Sequence, residues 1–262
     1  MKSSVAETGM VVVRATALPV LLIGAWYVAE RTGLISTRLL PGPQEVFGAA
    51  AVRLFGDAEI YQSILASVER IFAGWTIAVL AGVTVGLLAS LSRRARLVLE
   101  GPMSAGRSLP PAAIVPLAIL WLGIGNAASI SLVAFVAVWP VLINTIAGIE
   151  NVPRVMREVA LTMGASTRQL ILTVLLPAAL PSIVLGMRLA MGLAWMSVVL
   201  SELVGVKHGV GAQLLSLQQN DDVAAMLLIV LLIGLLGLLL DWLFRVTIGV
   251  LTARSHRGIS FT

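Results

Sequence analysis

Arg188, Trp195 and Glu202 recur at seven-residue intervals along one apolar stretch. At about 100° per residue, fourteen steps return a helical face to within about 40° of its start. The three side chains therefore share one face. Ser182, Gly186, Ala190 and Ala194 form a small-residue stripe on the other. Arg188 falls well inside the stretch, near mid-bilayer depth. A guanidinium there costs several kcal/mol unless it faces protein or water. It is expected to line a cavity or to pair with an acid, with Asp241 one candidate. A cation lining a passage would attract an anion or serve in gating; a structural ion pair is the alternative. Glu202, at the outer end, is read as solvated.

Bond-making chemistry finds no support. The chain has no Cys, which excludes thiolate catalysis, disulfides and a Cys-based zinc site. His208 and His256 are too far apart to suggest a metal site and read as loop and tail residues. No nucleophile–His–acid set, H-E-x-x-H or G-x4-G-K-[ST] phosphate loop occurs. No catalytic residue, metal ligand or cofactor of the chain's own is expected. Energy for any work must come from a partner or a gradient.

The elements that position these residues are membrane spans. Of the 262 residues 58% are hydrophobic and 12% charged. A soluble domain carries about 25% charged residues, so a soluble enzyme is excluded and the fold class is an all-α integral membrane protein. Six spans are expected. The first covers Val11–Ala29 and the second Ile71–Ser92, which holds no charge. The uncharged run Ser108–Ile149 is 42 residues long. As a helix it would measure about 63 Å, twice a hydrocarbon core of about 30 Å. It must fold as a hairpin, turning at Gly123-Ile124-Gly125-Asn126. The third span is thus short and Pro-rich, with an irregular start, and the fourth is Ala127–Ile149. The fifth is Ala178–Ser201, and the sixth runs from Val223 to about Val250.

Basic residues set the orientation. Arg93, Arg94, Arg96 and Arg107, then Arg154, Arg157 and Arg168, lie in two loops on one side. Lys2, Arg14, Arg245, Arg254 and Arg257 join them at the tails, against four basic residues on the other side. The positive-inside rule puts that side, with both termini, in the cytoplasm. The basic excess also suits anionic lipid rather than nucleic acid. Outside, Leu40-Pro41-Gly42-Pro43 precedes a possible amphipathic surface helix over Gln44–Phe55. In the second span Gly74, Ala78, Gly82, Gly86 and Ser90 repeat every four residues, a face that lets helix backbones approach closely.

The loop between spans four and five, residues 150–177, carries the most specific pattern. Pro153 suits the first turn of a helix and Gly164 its left-handed end. Ser166 and Gln169 have the spacing of a capping box that opens a second helix. Two short amphipathic helices should meet at a glycine elbow.

The order Glu158-x-Ala160-x3-Gly164-x9-Val174-x-Leu176-Pro177 resembles the E-A-A-x3-G-x9-I-x-L-P motif of the membrane subunits of bacterial ABC importers. Val159 and Val174 are its two departures, both conservative. Further segments are similar to the permeases for nitrate, sulfonate, taurine and bicarbonate. These are Leu109-Pro110 to Gly125, Asn144-Thr145-x-x-Gly148, Gly164-Ala165-Ser166, Leu176 to Pro181 and Ala194-Trp195. The resemblance covers roughly residues 39–250. It implies a six-span type I ABC importer (MetI-like) fold in the bacterial inner membrane. It implies a homodimer, two cytoplasmic ATPase subunits that bind ATP and Mg, and a periplasmic or lipid-anchored solute-binding protein. Glu158, Ala160, Gly164, Ala165, Ser166, Leu176 and Pro177 become the loop that docks on the ATPase. Residues 1–64 form an N-terminal span and periplasmic segment, 65–253 the permease core and 254–262 a cytoplasmic tail. The solute is expected to be a small anion. A secondary transporter or channel subunit working without an ATPase is the rival.

Overall fold

The computed structural model describes residues 2–256 except 38, 57 and 205, and the side chains of all of these but 2–16, 50–52, 54, 55 and 249–256. Arg38, Arg257 and the tail from 257 onward lie outside the described residues, as do the side chains of Lys2, Arg14, Arg254 and His256. Helices α1 (Lys2–Arg31), α2 (Pro43–Gly56), α3 (Ala58–Leu91), α4 (Arg93–Ser108), α5 (Pro111–Leu122) and α6 (Asn126–Glu150) come first. Then follow α7 (Arg154–Thr162), α8 (Thr167–Gln169), a π-helical turn (Leu170–Leu175), α9 (Leu176–Glu202), α10 (Val210–Gln219) and α11 (Val223–His256). No strand occurs among the described residues.

Among the described residues, four runs are long and apolar enough to cross a membrane: Ala58–Leu91, Asn126–Glu150, Thr167–Glu202 and Val223–Ile248. The pair α4 and α5, bent by 100° at its junction, brings the number to at most five. The remaining expected span, Val11–Ala29, lies within α1, whose side chains are described only from residue 17.

The third span has the expected irregular start. Leu109 and Pro110 are extended between α4 and α5, because Pro110 and Pro111 cannot continue the α4 hydrogen-bond ladder. The twelve residues of α5 rise only about 18 Å. The basic segment before it is no loop, however. Ser92 caps the helix on which Arg93, Arg94, Arg96 and Arg107 lie. Leu99 and Met103 of that helix pack against Ala89, Leu142 and Ile146. The hairpin turn falls where the glycines placed it, with Gly123 at φ +75° and Gly125 at φ +148°.

The contacts divide the chain into two units, Met1–Ile60 with Leu214–Leu232, and Tyr61–Gln213 with Ile233–Thr262. In the first, the Trp26 indole donates to the Pro41 carbonyl at 3.1 Å. Pro43 opens α2, as expected of the Pro-rich segment. Arg53 pairs with Asp222 at 2.9 Å, and Asp222 caps α11 by accepting from the Ala225 N–H at 3.0 Å.

In the second unit both small-residue stripes close on α6. Along α3, Gly74 faces Val133, Gly82 faces Val141 and Gly86 faces Thr145. On another side of α6, a Cβ on Gly186 of α9 would lie 2.8 Å from the Pro140 carbonyl oxygen. One on Gly148 of α6 would lie 2.8 Å from Ser182 Cβ. Neither lipid nor water drives such contacts; close backbone approach does. Gly186→Leu should therefore lower the unfolding free energy of the solubilised chain by about 1–3 kcal/mol. Gly101→Leu, with nothing within 4 Å of its Cβ, should leave it unchanged or slightly raised. Equal thermal unfolding of the two variants would contradict this packing.

Candidate functional site

Three groups of residues stand out, and the cytoplasmic elbow is built first. α7 ends in a Schellman motif: the Ala165 N–H donates to the Ala160 carbonyl and the Gly164 N–H to the Leu161 carbonyl, both at 3.0 Å. Gly164 takes φ +80°, which this motif requires and which glycine adopts without cost. Ala160 thus serves through its carbonyl. Ser166 then opens α8 with a complete capping box. Its hydroxyl oxygen accepts from the Gln169 N–H at 3.3 Å, and the Gln169 side chain accepts from the Ser166 N–H at 2.8 Å. Ala165 closes one motif and Ser166 opens the other, with no residue between them. The joint therefore has no slack.

One face of the elbow is apolar and uncovered. Val155, Val159 and Met163 are exposed, Met163 at 82%. Glu158 is exposed and makes no ion pair among the described residues. Two arginines tie the region to the membrane helices. Arg157 Nη2 donates to the Ile149 carbonyl at the end of α6, and Arg96 of α4 pairs with Glu150. Beyond α8 the chain does not break before the membrane. Pro177 has no N–H for a carbonyl one turn back. The backbone absorbs the deficit as a π turn, in which the Leu176 N–H reaches the Ile171 carbonyl. Leu176 packs on the buried cluster of Ile149, Leu175 and Ala179, while Pro177 is exposed.

The second group is the polar face of α9. Arg188 meets Asp241 of α11 side-on, Nε to Oδ1 at 2.8 Å and Nη2 to Oδ2 at 3.1 Å. Arg245 holds Oδ2 as well, at 2.8 Å. Arg188, Asp241 and Trp195 line a cavity of about 580 Å³ between α9 and α11. Both expectations for the mid-span arginine are met at once, since it lines a cavity and pairs with Asp241.

Glu202 departs from its expectation. Instead of being solvated it has no exposure at all. Arg70 Nη1 lies 2.6 Å from Oε1, the Ser67 hydroxyl 2.7 Å from Oε1, and the Gly211 N–H donates to Oε2 at 3.0 Å. Arg70 Nε also donates to Asn126 Oδ1 at 2.9 Å, and Ser67 Oγ accepts from the Val210 N–H at 3.0 Å. Gly209 makes room for the carboxylate and Gly211 for the α9 backbone. A Cβ at Gly209 would fall on the Glu202 carboxyl group, and one at Gly211 2.5 Å from the Val199 carbonyl oxygen. A charge this buried is tolerable only with a partner and a full set of donors. The node fastens α3, α6, α9 and α10 together and does not line the Arg188 cavity. Arg70 and Ser67 were not read as functional. The available signal was the spacing Ser63, Ser67, Arg70, which puts three polar groups on one helical face at the head of an apolar run.

Comparison with known proteins agrees with this architecture. The family described as "Binding-protein-dependent transport system inner membrane component" matches residues 78–248. The chain is 35% identical to the taurine transport system permease protein TauC of Escherichia coli (strain K12), over 72% of this chain and 70% of that one. It is 34% identical to the bicarbonate transport system permease protein CmpB of Synechococcus elongatus, over 84% of each. Its fold matches a chain from an inward-facing structure of the MetNI methionine ABC transporter. The TM-score is 0.64 at 20% identity, covering 73% of this chain and 95% of that one. The chain belongs to the binding-protein-dependent inner-membrane components, the permease subunits of ABC importers, and has their type I fold.

Proposed function

We propose that this permease works as a homodimer with two cytoplasmic ATPase subunits and imports a small anion delivered by a periplasmic or lipid-anchored binding protein. The rigid elbow around Gly164, with its exposed apolar face, is the observation that carries the reading. A joint closed by two interlocking caps transmits force, and an uncovered apolar face calls for a partner. In this reading Glu158, Ala160, Gly164, Ala165, Ser166, Leu176 and Pro177 form the docking loop. ATP and Mg stay on the partner, and the chain itself hydrolyses nothing. Both termini lie in the cytoplasm, and the binding protein engages the outer segments Gln44–Gln62 and Lys207–Asp222. Closure of the ATPases on ATP draws the two elbows together and rocks the spans, opening the pathway outward; hydrolysis resets it. Arg188 and Trp195 face the pathway, and Glu202 anchors its outer end. Membrane lipid surrounds the rest, and no nucleic acid is involved.

The relatives' names, taurine (a zwitterion that carries a sulfonate) and bicarbonate, support a small solute with an anionic group. A secondary transporter or channel would need no ATPase. Capture of the tagged permease from detergent-solubilised membranes separates the two, since a bound subunit carrying a phosphate-binding loop is expected only for the importer. Arg188→Ala should reduce uptake at least tenfold while the ATPase still co-purifies. Wild-type uptake by that variant would remove Arg188 from the pathway.

A further inference from the structure

We infer that Arg107 faces water at mid-membrane depth, in a cleft at the break between α4 and α5, and that its unpaired charge sets the sign of the ions that enter there. The inference rests on the permease reading for the use of the cleft. It names a residue and a face that the reading leaves out.

Three observations carry it. The first is depth. From its arginines Arg107 reads as a loop residue, but α4 climbs along α6. Arg96 meets Glu150 at one end of α6, Leu99 and Met103 pack against Ile146 and Leu142, and a Cβ on Gly106 would fall on the Trp139 ring. Trp139 stands about 20 Å from the Asn126 end of α6 and about 17 Å from the Glu150 end. Arg107 lines one cleft with Trp139, Pro140 and Ile143. It therefore sits near the middle of a hydrocarbon core about 30 Å thick. An arginine at that depth is costly unless protein or water meets it.

The second is the lack of a counter-charge. Arg70 has Glu202 and Arg188 has Asp241, whereas Arg107 is exposed and forms no ion pair among the described residues. The α9 side of the cleft is Leu193, about 140° around that helix from Arg188. The two arginines thus face different sides of α9, and each is tested without the other.

The third is the backbone at the break. Leu109 and Pro110 are extended, and the Gly106 and Arg107 carbonyls have only Pro110 and Pro111 at the position of their helical donors. Neither proline has an N–H to give. Irregular backbone at membrane depth is tolerated only where protein buries it or water reaches it. The Trp139 indole N–H, on the wall of the same cleft, is buried with no hydrogen-bond partner among the described residues. Such a group calls for water, and a cleft of about 240 Å³ has room for several molecules. Water satisfies the guanidinium, the carbonyls and the indole together; lipid satisfies none of them. A lone cation in a wet cleft with apolar walls raises the local concentration of anions and lowers that of cations.

The chain holds no Cys, so an introduced thiol is unique. Leu109→Cys places one in the same cleft, two residues from Arg107. Membranes carrying the full chain, opened by freeze–thaw, are treated with the impermeant sulfonatoethyl or trimethylammonioethyl methanethiosulfonate. Reaction rates are read as loss of fluorescent maleimide labelling. Both reagents should modify Leu109→Cys at least tenfold faster than Leu235→Cys, an exposed position of the apolar α11. Adding Arg107→Gln should lower the ratio of the anionic to the cationic rate about tenfold, since the lost charge acts with opposite sign on the two reagents. The acidity of the thiol cancels in that ratio. Arg107→Lys should hold it within about twofold, as a merely structural guanidinium would not. Reaction at Leu109→Cys as slow as at Leu235→Cys means that lipid or a second copy covers this face, and overturns the wet cleft. A ratio unmoved by Arg107→Gln overturns the electrostatic role, even if both rates change together. Because the labelling needs no ATPase, these results stand apart from failure of the chain to capture an ATPase, which would overturn the permease reading itself.

Discussion

Gly164→Leu should abolish coupling while leaving the membrane part intact. At φ +80° a side chain with a Cβ costs about 1–2 kcal/mol. No neighbour crowds the position, since nothing lies within 4 Å of that Cβ. The variant therefore has no steric reason to unfold and every backbone reason to leave the left-handed conformation. Doing so breaks the bonds from the Gly164 and Ala165 N–H groups to α7, each contributing about 1 kcal/mol. The two caps then lose their fixed angle. Thermal unfolding of the solubilised chain should stay near wild type, while solute-stimulated ATP hydrolysis in the reconstituted complex falls at least tenfold or the ATPase no longer co-purifies. Gly164→Asn should retain much of the activity, because asparagine enters this conformation more readily than leucine. Normal stimulated turnover in the leucine variant would refute the coupling assignment.

Glu202→Ala should have the largest effect on stability. It strands Arg70, which is 5% exposed, and takes the acceptor from the Ser67 hydroxyl and the Gly211 N–H. Removing one partner of a buried pair costs about 3–5 kcal/mol. The double replacement Arg70→Met with Glu202→Leu should recover most of that loss, since no charge is then left buried. Thermal unfolding in a mild detergent orders the three proteins: wild type, then the double variant, with the single variant well below. A loss under about 1 kcal/mol in Glu202→Ala would mean that the node holds nothing together.

The two caps of the elbow were legible because their information is local, whereas the continuation of the second helix through a π turn into the fifth span, expected to start only at Ala178, was not. Helix end, glycine and capping box are all encoded within the seventeen residues from Pro153 to Gln169, where spacing alone fixes hydrogen-bond partners. Arg188 was legible for a different reason: a charge in an apolar run must find compensation, and few acids lie within reach. The expectation for Glu202 failed because burial at a helix end depends on what the next segment does. Gly209-Val210-Gly211 folds back over the carboxylate, and that return is set by contacts with α3, more than 130 residues earlier in the chain. The α4 helix was hidden by its arginines. Its mean character is polar, and few residues, Leu99, Met103 and Gly106 among them, attach it to α6.

The π turn has a mechanical consequence. Because the chain passes through Leu170–Leu175 without a break, Thr167–Glu202 is one rod of 36 residues, about 54 Å long. One close approach to α6, at Gly186, lies about 28 Å from the elbow end and about 24 Å from Glu202. A rod pivoting there is a lever with nearly equal arms. A tilt of about 10° carries the elbow about 5 Å one way and the outer end about 4 Å the other. Drawing two such elbows together would spread the outer ends by a similar distance, with no hinge needed in between. A break would swallow the stroke; a proline accommodated by a wider turn keeps the two arms joined.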